Sequence, residues 1–191
     1  MKYLALFLLV LSCYACDEEA IPKPKAYLRL EYPQPEYEKL DPYLPFTFEK
    51  NTLASRVSAV KQSRDGKSKG IDIEYPSLKG TIYLTYKQVK NDNLELYLID
   101  AQNITQKHTI KADEIIEQPY LNKEQKVYGM FYEVGGNAAS QTQFYVTDSI
   151  NHFVIGSLYF YAKPNYDSIL PAAYYLRNDV KHIMETIRWK K

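Results

Sequence analysis

The sequence predicts an α+β domain: a twisted, mostly antiparallel sheet of six to eight strands with two helices packed on one face. Three observations lead there. Short runs of alternating apolar and polar residues recur from Phe46 to Tyr161. That alternation gives way once, between Asn91 and His108, to a three- and four-residue spacing, and a second helical stripe closes the chain from Ala173 to Ile187.

Taken in order, Phe46-Thr47-Phe48-Glu49 reads as a first strand, Arg56 to Gln62 as a second and Ile71 to Tyr75 as a third, the polar stretch Arg64 to Gly70 forming a turn. Ile82 to Tyr86 is a fourth. Leu94, Tyr97, Leu98, Ala101, Ile104 and His108 then trace an amphipathic helix opened by the cap signal Asn91-Asp92-Asn93. Ile115 to Tyr120 predicts another strand. Lys126 to Val134, Gln141 to Thr147 and His152 to Tyr161 predict a three-strand meander, with turns at Gly135-Gly136-Asn137 and Asp148 to Asn151. Phe153 to Phe160 is almost wholly apolar or small, which marks a central strand.

In the closing helix Pro171 falls in the first turn, and Ala173, Leu176, Val180, Ile183, Met184 and Ile187 form one stripe. Leu98, Ile155, Leu158, Leu176, Val180 and Ile183 are the expected core. The order of elements, down to the terminal Ile187-Arg188-Trp189, resembles the Mog1/PsbP-like architecture, a likeness of shape that implies no function.

Ahead of this domain (46–191) lie two segments. In residues 1–15, Lys2 precedes the apolar run Tyr3 to Leu11, which is too short to span a bilayer core of roughly 30 Å. The run leads into the two cysteines, Cys13 and Cys16, as in a bacterial lipoprotein signal. Val10-Leu11-Ser12-Cys13 matches the residues preferred before a lipidated cysteine; Cys16 is followed by the acidic Asp17-Glu18-Glu19 that often opens mature lipoproteins. One of the two is expected to carry the acyl chains, and the fold then has no pair of thiols left for an internal disulfide. Residues 16–45 hold six of the ten prolines and cannot be helical. Within them Tyr27 to Tyr32 is too apolar for a free linker. Leu28, Arg29, Leu30, Tyr32 and Tyr37 are the candidate partner-binding residues, on an extended backbone suited to strand addition.

A formal net charge of +1 with interspersed signs argues against nucleic acid as a partner. The 19 tyrosines suit half-buried strand positions with hydroxyls reaching water, or a tyrosine-rich contact surface. His108, His152 and His182 are isolated, so no metal or cofactor site is expected. Gly66-Lys67-Ser68 lacks the glycine of a phosphate-binding loop, which would fall at Lys61. No nucleophile motif is present, and the carboxylates are scattered. Asp148-Ser149-Ile150 and Asp167-Ser168-Ile169 match a three-residue O-glycosylation acceptor pattern but read first as turn and cap residues, and Asn103-Ile104-Thr105 reads as a chance match to an N-glycosylation pattern.

Pro22-Lys23-Pro24-Lys25 followed by Tyr27-Leu28-Arg29-Leu30-Glu31-Tyr32-Pro33, directly behind a lipoprotein signal and in a chain of this length, resembles the gliding-motility lipoprotein family GldD of Bacteroidetes. The resemblance implies a lipidated cysteine a short acidic step before the P-K-P motif, which favours Cys16. It also implies a noncatalytic envelope protein required for gliding and for the associated type 9 secretion machinery. Its partners would be protein components of that apparatus. It would be anchored at the periplasmic face of the outer membrane, the inner membrane being the alternative. A different class, a lipoprotein binding a small molecule or lipid on the concave side of its sheet, would require a deep apolar pocket. A hydrolase would require clustered titratable groups in a cleft.

Overall fold

The computed structural model describes residues 30–90, 93–106, 112–161 and 166–190. Within them the strands are β1 (Tyr37–Leu40), β2 (Phe46–Asn51), β3 (Arg56–Val57), β4 (Lys61–Gln62), β5 (Ser68–Tyr75), β6 (Gly80–Gln88), β7 (Ala112–Asn122), β8 (Val127–Gly136), β9 (Ser140–Thr147), β10 (His152–Phe160) and β11 (Arg188–Trp189). The helices are α1 (Leu94–Gln106) and α2 (Tyr166–Thr186). The main sheet runs β3-β5-β6-β10-β9-β8-β7, with β4 also on β5, and a small sheet runs β1-β2-β11. Every pairing is antiparallel. The α+β class and its antiparallel sheet are those the sequence predicts. The single strand expected over Arg56 to Gln62 is instead two short ones, which pair separately with β5.

The placement of the helices differs from the expectation of a shared face. Along β10, Val154 and Leu158 join the core beneath α2, whereas Phe153 and Ile155 pack with Leu94, Tyr97, Leu98, Ala101 and Ile104 of α1. Successive strand residues point to opposite faces, so the two helices cover opposite sides of the sheet. This also explains why β10 is apolar almost throughout: it is buried on both sides. Leu98 is only half-buried in that smaller cluster, while Ile155, Leu158, Leu176, Val180 and Ile183 are buried as expected.

The larger core lies between α2, the main sheet and β2, with Phe46, Phe48, Tyr75, Phe131, Phe144, Leu158 and Leu176 buried. Gly156 is required here by close approach: a Cβ at this position would lie 2.1 Å from Cε1 of Phe144. Gly156→Val is therefore expected to prevent folding at 37 °C, readable as loss of near-UV dichroism. Helix α2 starts at Tyr166, five residues before Pro171, so this proline lies in the second turn rather than the first. Only the bond its N–H would give to the Asp167 carbonyl is lost.

Candidate functional site

Cys13, Cys16, Leu28 and Arg29 lie outside the described residues. The other candidates fall at the start of the described chain, where it runs along α2. Tyr32 packs on Tyr175, with ring centroids 4.9 Å apart, and Tyr37 stacks on His182 at 3.5 Å. Leu30 points outward, 47% exposed. The structure brings two of the segment's tyrosines onto the protein's own helix.

Beneath Tyr37 lies a polar group that sequence reasoning missed. The Tyr37 hydroxyl donates to Oδ1 of Asp179 at 2.9 Å. Asn51 Nδ2 donates to both carboxylate oxygens, at 3.1 and 3.0 Å, and also lies 3.1 Å from the Tyr175 hydroxyl. The orientation of Asn51 is fixed from its other side, since Oδ1 accepts the Leu53 backbone N–H at 2.9 Å. The Tyr75 hydroxyl is buried close to the same carboxyl without forming a well-directed hydrogen bond. Burial pushes the Asp179 carboxyl above the usual carboxylate range, against the hydrogen bonds that favour its ionised form. Burial, followed by the neighbouring Asp179 charge, raises the Tyr37 phenol. Next to this group, His182 Nε2 meets Glu49 Oε2 at 2.8 Å, and Thr186 Oγ1 accepts the Glu49 backbone N–H at 3.0 Å.

These contacts tie β1 and β2 to α2. With both oxygens of Asp179 engaged by the protein's own donors, the geometry is that of a clamp rather than of an acid or base facing a substrate. A sequence signal for it existed: Asp179 occupies the i+3 position of the stripe formed by Leu176, Val180 and Ile183.

A second tie closes the opposite end of the small sheet. His152 stacks on Trp189 at 5.0 Å and shares a 3.0 Å hydrogen bond with the Tyr86 hydroxyl. Burial holds the His152 imidazole below its ordinary value, although the nearby Asp148 charge opposes this. Asp148 is itself pulled two ways. Burial would raise its carboxyl, but the backbone N–H groups of Ile150, Asn151 and His152 donate to it and leave it below the usual range. Both shifts act in the same direction on stability. A depressed His or Asp favours the fold at pH above its unfolded value and loses that favour on acidification. Stability is expected to fall as pH drops below about 6.5 through the His152 range, and His152→Phe should flatten that part of a melting-temperature profile.

Concavities open on the surface of the described residues. A cleft of about 180 Å³ lies between α2 and β7, β8 and β9, lined by Glu114, Ile116, Glu133, Leu170, Tyr174 and Arg177 among others. A shallower groove of about 500 Å³ beside α1 is lined by Val89, Lys90, Leu94, Glu95, Leu98, Ser149 and Ile150. Tyrosines border the part of the sheet that α1 leaves open. Tyr83 meets Tyr159 edge-on at 5.7 Å, and its hydroxyl lies 3.0 Å from that of the exposed Tyr161. Among the described residues no cluster of His, Cys, Asp and Glu has the arrangement of a metal site.

The fold and these features define a class: a sheet-based α+β module whose buried polar groups serve to fix its own N-terminal strap, and whose open features are an aromatic sheet face and a sheet edge. The family model described as Gliding motility lipoprotein GldD matches residues 17–189, and the chain belongs to that family. No curated protein and no solved structure matches it. Membership makes it a lipid-anchored protein of the cell envelope with a role in gliding. No helix among the described residues is long and apolar enough to cross a membrane.

Proposed function

We propose that this protein is a noncatalytic docking component that helps assemble or stabilise the gliding apparatus and the type 9 secretion machinery. It is held by acyl chains on Cys13 or Cys16 at the periplasmic face of the outer membrane. The observation that supports this reading most is the clamp on the strap: Tyr32 and Tyr37 are fixed on α2, so the chain leading to the anchor leaves the domain from a defined place. Only thirteen residues lie between Cys16 and Leu30, a reach of at most about 50 Å. A domain tethered so closely at a fixed attachment point presents a constant orientation to partners at the same membrane.

Two experiments test it. Replacing both cysteines with serine should release the protein from membranes, and single replacements should identify the acylated residue; retention of the double variant in a high-salt wash would rule out the lipid anchor. Arg29→Glu combined with Leu30→Asp should abolish gliding and secretion with the melting temperature within about 2 °C of wild type, because Leu30 is exposed and contributes little to the core. Normal gliding by this variant would remove the strap from the docking surface.

A further inference from the structure

Among the described residues, the outer edge of the main sheet at β7 is used neither by the strap nor by the core. β7 ends the strand order, and its outer side pairs with no described strand along eleven residues. Pro119 lies opposite Met130 of β8. Having no N–H to give to the ladder, it belongs with its nitrogen turned outward. The period-2 pleat then turns the backbone groups of Ile115, Glu117 and Leu121 outward as well. Apolar side chains accompany this edge: Ile116 is 42% exposed, Leu121 68% and Tyr174, across the cleft on α2, 51%.

The charge along the edge has one sign. Asp113, Glu114 and Glu117 are exposed and form no ion pair with a described residue, while Glu133 is already engaged, by Arg177 at 2.6 Å and by Gln118 Nε2 at 2.8 Å. An acidic edge repels a second copy of itself and admits a strand of opposite charge. The described part of the protein's own strap is held elsewhere. Tyr32 sits on Tyr175, whose hydroxyl reaches Asn51 of β2, and Arg177, two residues on and so about 200° around the helix, faces the cleft.

We propose that the β7 edge receives, as an added strand, an extended lysine- or arginine-bearing segment of a partner protein, with one basic side chain seated in the adjoining cleft. Its aliphatic stem lies on Ile116, Leu170 and Ala173, and its cationic head meets Glu114. This inference rests on the docking reading and assigns that reading a surface.

The test uses the full-length acylated protein in detergent and two ten-residue peptides, one alternating lysine with threonine and one alternating glutamate with threonine. The lysine peptide should bind and slow amide exchange at Ile115, Glu117 and Leu121 at least tenfold at saturation, and the glutamate peptide should do neither. Glu114→Lys with Glu117→Lys should weaken binding at least tenfold without changing the melting temperature. Failure of the lysine peptide to bind, equal binding of both peptides, or binding that leaves these three amides unprotected overturns the assignment. In cells, a photocrosslinker at Leu121 should capture a basic segment of another protein; capture of this chain's own N-terminal residues, or of a second copy, also overturns it. If crosslinks from Leu30 still reach the apparatus while the β7 edge behaves in none of the expected ways, the docking reading stands and only the edge assignment falls.

Discussion

Leu176→Ala is expected to destabilise the protein by about 2–5 kcal/mol in urea or thermal unfolding. Leu176 is fully buried at the centre of the α2 stripe, between the sheet and the small β1-β2-β11 layer. Its Cδ1 atom occupies space left by Gly80, lying 2.7 Å from where a Cβ would be built there. Removing the isobutyl group loses its transfer free energy. It also leaves a cavity that helix and sheet, held on either side by Val180, Ile183 and Leu158, cannot collapse to fill. A loss below about 0.5 kcal/mol would mean that α2 does not face the core as described.

Asp179→Ala should cost about 3 kcal/mol, because it removes the acceptor of the half-buried Tyr37 hydroxyl and of the buried Asn51 Nδ2, which keeps only its contact with Tyr175, at roughly 1–3 kcal/mol for each lost bond. Asp179→Asn should recover only part of this. It keeps an acceptor for Tyr37 but sets an amide N–H₂ against Asn51 Nδ2, and Asn51 cannot turn over without losing its bond from Leu53. The pH dependence has a sign of its own. A carboxyl whose folded value is raised binds its proton more tightly in the folded state, so its ionisation costs stability as pH rises from the ordinary Asp value through the raised one. That term opposes the acid loss from His152 and Asp148, and it disappears in Asp179→Asn. Equal stability of wild type and Asp179→Ala would show that the strap is not clamped through this group.

Particular elements show what could be read in the sequence. The strands β5, β6, β8 and β9 follow from alternation because each carries enough residues for a period of two to show, and β10 follows from its nearly unbroken apolar run. The stripe of α2 follows because its buried residues repeat faithfully at three and four. What escaped depended on long-range geometry. β3 and β4 are two residues each, too short for any period. The face taken by α1 is undetermined by its own amphipathicity, because β10 is apolar on both sides and offers either. The Asp179 clamp joins Tyr37 and Asn51 across separations that no local spacing reveals, and only the misplaced carboxylate in an apolar stripe hinted at it. The sequence marks the candidates only as one extended segment, and the division of its described residues into clamped Tyr32 and Tyr37 and outward Leu30 required the position of α2.

The most direct measurement is photocrosslinking from Leu30 in living, gliding cells, followed by identification of the attached protein. Leu30 is exposed, lies next to the clamped strap and disturbs neither ring stack. The account predicts covalent capture of a component of the gliding or type 9 secretion apparatus, lost when both cysteines are replaced and the protein leaves the membrane. Capture of no protein at Leu30 or elsewhere along the strap and the β7 edge, in cells that glide normally, would contradict a docking role.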